Sequence, residues 1–337
     1  MVRAAGWFAV LVGMLVACNS APTPPTGGVF DGLECGKVRN ASGDIVGTTR
    51  DNDCGGGIND PHYTTFDGLY YDFMGVGEFV FARLKDTPDL QVQTRMSPVG
   101  DLSVASLNTA VAAQVGPDRV MVALLKTGKT EVRVNGTIKT LLAPLKLAGG
   151  GEVKRFPSGD VMVTWPNTST TSNQDRLYIE IPGNYLNVYL QVYKSHYNKL
   201  EGLLGDADGL PTNDLRVAAG SALDTTQVTF DQMYQDFAGS WRITDPAKSL
   251  FTYDSGQGPS TFNDAGKPTQ FITVSDLTTE QKDRGVLECA SVKGQVHENW
   301  YNACVLDVGL SGDTSFVKGL SSNLKLMDVT GKVQIKK

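Results

Sequence analysis

The chain lacks most of the residue patterns that carry catalysis. It has only three histidines, His62, His196 and His297, and no GxSxG, HExxH or phosphate-cradling Gly-rich loop. His196 follows Ser195 directly, and as strand neighbours the two side chains point to opposite faces, so they form no nucleophile–base pair. Asp67 and Asp72 have the side chains of a glycosidase pair, but both sit in one short hairpin with no aromatic-lined cleft to infer around them. CxxC spacing is missing and the histidines are scattered, which leaves zinc without a ligand set. Lys and Arg number 30 against 36 Asp and Glu, a formal charge of −6 that argues against nucleic acid as a partner. After the first 17 residues no stretch is apolar enough to span a bilayer. There are no internal repeats and none of the strand–helix alternation that doubly wound and barrel α/β folds need. These absences set the first expectation, that the protein is not an enzyme.

What is present begins at the N-terminus. Met-Val-Arg is followed by an apolar run from Ala4 to Ala17, too short for a comfortable span but right for the core of a secretory signal. The run ends Leu15-Val16-Ala17-Cys18, which resembles the lipobox of bacterial lipoproteins. The resemblance implies cleavage before Cys18 and lipidation of Cys18, hence a membrane partner through the anchor and a place in the bacterial cell envelope, facing outside the cytoplasm. An ordinary signal peptide with a cysteine there by chance is the alternative. Asn19 is not the Asp read as an inner-membrane retention signal, which favours an outer membrane or cell surface. The Pro-, Ser-, Thr- and Gly-rich stretch from Asn19 to Gly28 reads as a tether. The expected organisation is a signal peptide over 1–17, lipidated Cys18 and tether over 18–30, a β-sandwich over 31–258 and a small helical region over 259–337.

With 41% hydrophobic residues the exported part has the means to bury a core. Its four further cysteines fall into two local pairs, and in an oxidising compartment the economical pairing is Cys35–Cys54 and Cys289–Cys304, one of three possible connectivities.

From Tyr63 to Lys194 the chain reads as strands. Over Tyr185–Tyr193, Leu186, Val188, Leu190 and Val192 alternate with Asn187, Tyr189, Gln191 and Tyr193. Asn135-Gly136 is a type I′ hairpin signal, and Asp67-Gly68 is read the same way. Gly55-Gly56-Gly57 reads as a flexible turn ahead of the first strand. Many short strands with regular turns predict a mainly β fold, an antiparallel β-sandwich. Helical spacing returns over 278–291, 297–308 and 314–327, where Val286 and Leu287, Trp300 and Val305, and Phe316, Leu320 and Leu324 are expected to form apolar stripes.

Three segments stand in a fixed order: Asn59-Asp-Pro-His-Tyr-Thr-Thr-Phe-Asp-Gly68, Leu200-Glu-Gly-Leu-Leu-Gly-Asp-Ala-Asp-Gly-Leu-Pro-Thr-Asn-Asp-Leu215 and Phe237-Ala-Gly-Ser-Trp241, the last running on to Ser249-Leu-Phe-Thr-Tyr253. Together they resemble the von Willebrand factor type D domain of mucins and many surface proteins. The resemblance implies a β-sandwich of that type and a structural Ca²⁺ held by Asp60, Asp206, Asp208, the Leu210 carbonyl, Asn213 and Asp214. The residue types agree, because Ca²⁺ takes six to eight hard oxygens. Asp and Asn chosen for turn chemistry alone is the other reading of the loop. It is not an EF-hand, since Pro211 and Val217 stand where that loop needs Gly and Glu. Two departures matter. Glu201 and Leu204 replace the cysteines of the family's CGLCG, which removes that route to disulfide-linked multimers, and Asn59 replaces the Gly before Asp60-Pro61, a bond that breaks autocatalytically in some relatives. The expected function is a non-catalytic surface lipoprotein for adhesion, binding or envelope structure, with an unidentified surface protein or glycan as ligand. An extracytoplasmic hydrolase and an envelope assembly factor are the alternatives.

Overall fold

The computed structural model describes residues 33, 35–39, 45–49, 51–100, 102–166, 174–323 and 327–336. The apolar N-terminal run, Cys18, the tether and Leu324 lie outside them. Two sheets make a sandwich. One has seven strands, all antiparallel, in the spatial order Thr137–Ile138, Thr130–Val134, Asp118–Leu124, Ser106–Val115, Leu90–Pro98, Gly77–Leu84 and Leu200–Glu201. The other has nine: Leu145–Lys146, Glu152–Arg155, Val161–Thr164, Arg176–Glu180, Asn187–Tyr193, Asn52–Ile58, His62–Thr64, Leu69–Asp72 and Gly331–Lys332. Only the last pairs parallel, against Leu69–Asp72. It brings the chain back to the hairpin His62–Thr64/Leu69–Asp72, and Val333 enters the main core.

The alternation in Asn187–Tyr193 aims Val188, Leu190 and Val192 at Phe81, Val111 and Val122 of the facing sheet. The opposite face is buried too. Tyr189 packs in a second core with Tyr70, Trp300, Val305, Phe316 and Leu320. Asn187 and Gln191, both fully buried, are hydrogen-bonded: Asn187 accepts from the Asn59 N–H at 2.7 Å and donates to Glu180 at 2.8 Å, and Gln191 donates to the Gln174 carbonyl at 2.9 Å. The cover on this face is the helical unit, Thr279–Glu288, Glu298–Ser311 and Ser315–Asn323.

Three expectations are corrected. Gly55, Gly56 and Gly57 lie inside the strand Asn52–Ile58, not in a turn. A Cβ on Gly56 would meet the Val188 carbonyl at 2.9 Å and one on Gly57 the Tyr63 ring at 3.0 Å, so the glycines let neighbouring groups close over both faces of the sheet. The hairpin at Asn135-Gly136 has the expected two-residue turn, with φ of 50° and 78°. At Asp67-Gly68 the loop is three residues long: Thr65 donates to Leu69 across it at 3.0 Å, and Gly68 takes φ 86°. Finally, Val286 and Leu287 are 40% and 73% exposed. The helix Thr279–Glu288 meets its partner through Gly285, where a Cβ would lie 2.3 Å from the Val305 carbonyl. The next two positions then turn away by about 100° and 200°.

Both disulfides have the local pairing, Cys35–Cys54 and Cys289–Cys304. The second ties two helices across 15 residues. A Cys289→Ala/Cys304→Ala variant is expected to lose about 3 kcal/mol, the loop-closure value for such a span, read as an earlier urea midpoint for the helical circular dichroism.

Candidate metal centre

The strand Leu200–Glu201 delivers the chain into an acidic loop under the edge of the seven-stranded sheet. Leu203 and Leu204 plug into the core, and Glu201 pairs with Arg83 at 2.7 Å, so the positions that depart from the CGLCG pattern serve packing and pairing. Beyond Gly205 the backbone reverses. Ala207 adopts a left-handed φ of 59° and Gly209 one of 92°, which turns Asp206 and Asp208 to the same side. Asp67, from the tip of the hairpin His62–Thr64/Leu69–Asp72, reaches into the loop and accepts from the Asp208 N–H at 3.1 Å and the Gly209 N–H at 2.8 Å. Carboxylate oxygens of Asp67, Asp206 and Asp208 all lie within 4.8 Å of one another. Asp208 also accepts from the Leu210 N–H at 2.7 Å and from Asn213 at 2.8 Å.

Asp214 backs this group. It is 1% exposed, and its Oδ2 accepts from the Thr65 hydroxyl at 2.5 Å. Burial, with the nearby carboxylates of Asp67 and Asp206, pushes its carboxyl up to about 9. Burial and the Asp208 and Asp206 charges push Asp67 up to about 6, against the pull of the Gly209 N–H. Asp206 is raised by burial and by Asp208, with Lys85 and Arg216 offsetting part of the repulsion. Asp206 Oδ1, Asn213 Oδ1 and Asp214 Oδ1 are buried and have no hydrogen-bond partner. All three residues line a cavity of about 10 Å³, close to the smallest space that holds one water. Orphaned buried acceptors on gathered carboxylates are the donor set of a hard cation, so the residues present fit Ca²⁺. The Leu210 carbonyl accepts from the Asn213 N–H at 3.2 Å and keeps a second lone pair.

The structure thus brings together Asp206, Asp208, Asn213 and Asp214, with Leu210 at the rim, and adds Asp67. In the sequence Asp67 is read as a turn residue. The sequence marks only the Asp-Gly tip; the three-residue loop that lets the carboxylate reach across is seen in the structure alone. Asp60 lies elsewhere, 3% exposed and accepting from the Ser106 N–H at 3.1 Å. Its charged neighbours are Asp307, His62 and Asp72. There His62, fully buried, stands between Asp72, at 2.6 Å from Nδ1, and Asp307, at 2.9 Å from Nε2. Burial opposes its charge, but Asp307 and Asp72 hold it well above the ordinary histidine range. Asp67 and Asp72 therefore serve two separate clusters. Ser195 and His196 sit on a 3₁₀ turn, Lys194–His196, and both line one cavity, so strand alternation does not separate them.

Residues 56–221 match the von Willebrand factor type D domain. Human Sushi domain-containing protein 2 is 30% identical over 205 residues, 59% of this chain and 24% of that protein. Human Mucin-4 is 26% identical over 214 residues, 61% of this chain and 4% of the mucin. Human IgGFc-binding protein is 28% identical over 196 residues, covering 56% and 3% respectively. The chain spans about a quarter or less of the length of these relatives.

Proposed function

We propose that this chain is a non-catalytic binding or structural domain displayed outside the cytoplasm, with its acidic loop fixed by one Ca²⁺ and its N-terminus anchored by lipid on Cys18. The observation that carries the metal reading is the set of orphaned oxygens on Asp206, Asn213 and Asp214 beside the Asp67–Asp206–Asp208 group. The cation would be held by these residues and would supply positive charge where the chain has gathered acids, locking the loop to the hairpin that carries Asp67. A surface role is supported by the match to the type D domain, by a mucin relative and by one relative named for binding the IgG Fc region. Two oxidised cysteine pairs fit an oxidising compartment. Among the described residues no helix is long and apolar enough to cross a membrane.

Equilibrium dialysis of the purified chain against Ca²⁺ tests the site. A single ion per chain is expected, lost in an Asp206→Asn/Asp208→Asn variant, and no bound ion at millimolar Ca²⁺ would sink the assignment. The anchor is tested by metabolic labelling with a fatty acid in a bacterial host. The wild-type chain is expected to take up label and partition to membranes, and Cys18→Ser to do neither. Label retained by Cys18→Ser would contradict that position.

A further inference from the structure

Residues 327–336 lie well beyond the segment that matches the type D domain, which ends at residue 221. They run extended between two parts of the chain. On one side they pair parallel with Leu69–Asp72, where the Thr330 and Gly331 N–H groups donate to the Gly68 carbonyl at 2.9 and 3.3 Å and the Val333 N–H donates to the Tyr70 carbonyl at 2.9 Å. On the other side they pair with residues 225–228. The Gln334 N–H donates to the Thr225 carbonyl at 2.9 Å, the Val228 N–H to the Gln334 carbonyl at 2.8 Å and the Lys336 N–H to the Val228 carbonyl at 2.8 Å. Between these two sets Val333, 4% exposed, joins Leu69, Leu215 and Val228 in the main core.

Both partners of this segment carry the candidate metal centre. The hairpin has Asp67 at its tip. Residues 225–228 are placed by the acidic loop, because the chain that leaves Asp214 turns back on itself: Arg216 bridges Ala222, and the Leu223 N–H donates to the Leu215 carbonyl at 2.9 Å. The segment therefore ties the hairpin of Asp67 to the chain that follows Asp214. Its tightest contact is at the tip. The Thr330 hydroxyl donates to the Asp67 carbonyl at 2.8 Å. A Cβ on Gly68 would lie 2.7 Å from both the Asp328 carbonyl and Thr330 Oγ1, so glycine is what lets the segment close over the tip. The Asp67 carbonyl is held from this side while its carboxylate accepts from the Asp208 and Gly209 N–H groups on the other.

We propose that residues 328–336 form a clasp on the metal centre, with Thr330 the positioning residue for Asp67. The clasp fixes the hairpin tip against the acidic loop and presets the separation of Asp67 from Asp206 and Asp208. The cation then meets a gathered carboxylate set with less ordering left to pay. Thr330 acts through the Asp67 backbone and is not itself a ligand. This rests on the calcium reading of the loop, and it places a determinant of that site outside the matched domain.

Ca²⁺ titrations of the full chain compare the wild type with Thr330→Ser, Thr330→Val and Thr330→Pro. Thr330→Ser keeps the hydroxyl, Thr330→Val keeps the shape without it, and Thr330→Pro also deletes the N–H that donates to Gly68. Thr330→Ser should bind as the wild type does, Thr330→Val about three- to tenfold more weakly, the scale of one hydrogen bond, and Thr330→Pro more weakly still. A purely structural role would lower the unfolding midpoint and leave the Ca²⁺ affinity of the folded chain unchanged. A second readout needs no cation. In EDTA the Asp208 and Gly209 N–H groups should exchange with solvent faster in Thr330→Pro than in the wild type. If the wild type binds Ca²⁺, Thr330→Val and Thr330→Pro binding it equally well overturns the clasp. If the wild type binds none, the calcium reading fails by itself and amide exchange decides: faster exchange in Thr330→Pro sustains the clasp, and equal exchange overturns it.

Discussion

Replacing His62 by Gln is expected to destabilise the folded chain by about 3–5 kcal/mol, the loss seen when one partner of a buried ionic group is removed. The imidazole is fully buried between Asp72 and Asp307, with Asp60 close by. It joins the hairpin His62–Thr64/Leu69–Asp72 to the helix Glu298–Ser311. A neutral amide in its place leaves the fully buried Asp307 beside Asp72 and Asp60 with no positive charge to offset it. Adding Asp307→Asn should recover part of the loss, because it removes one uncompensated charge.

The pH dependence has a definite sign. His62 is raised in the folded state, so its contribution is fully present below its unfolded value of about 6.5 and is lost as pH rises through the folded value. Asp60 is raised by burial and Asp307, and Asp307 by burial despite His62, so each stabilises most when protonated and also weighs against high pH. Asp72 runs the other way: burial raises it, but His62 lowers it further, so its contribution is present above the unfolded carboxylate value and is lost in acid. Urea unfolding across neutral to alkaline pH should therefore show the gap between wild type and His62→Gln shrinking as pH rises. A gap that widened would contradict a protonated His62.

Gly205→Ala is expected to damage the acidic loop more than any surface change. Gly205 has φ 77°, and a Cβ there would lie 2.0 Å from Asp214 Oδ1. The left-handed backbone costs a non-glycine residue about 1–2 kcal/mol, and overpacking typically about 1–3 kcal/mol more. Asp214 would also be displaced, so Ca²⁺ affinity should fall together with stability. Gly220→Ala is the control, since it has φ 98° but nothing within 4 Å of an added Cβ. It carries the backbone penalty alone, and its Ca²⁺ affinity should match the wild type. Equal Ca²⁺ affinities in both variants would separate Asp214 from the cation.

The strand pattern was legible because one face of each strand meets the facing sheet, and period-2 alternation records that face. The other face was not legible. Asn187 and Gln191 look solvated in sequence, yet both are buried, Asn187 against the helix Ser315–Asn323, and nothing local marks a polar residue that will find a buried partner. Gly55–Gly57 misled for a related reason: glycine signals a turn when the contact that demands it is remote. The segment Gln232–Phe237 winds as a π-helix, whose wider turn departs from the 3.6-residue spacing that marks a helix. Gly331–Lys332 is two residues long and too short to carry any periodicity. In the acidic loop, Asp206, Asp208, Asn213 and Asp214 were readable as neighbours in sequence. Asp67 was not, because its place beside them is set by the hairpin tip packing on the loop.

The most direct test of the calcium-fixed loop is thermal unfolding of the chain in excess Ca²⁺ and in EDTA, alongside Asp206→Asn/Asp208→Asn. A ligand that binds only the folded state at 100 times its Kd stabilises by about 2.7 kcal/mol, enough to move the midpoint by several degrees. The expected result is a higher midpoint in Ca²⁺ for the wild type and no Ca²⁺ response in the variant. Wild-type midpoints that coincide in Ca²⁺ and EDTA would contradict the account.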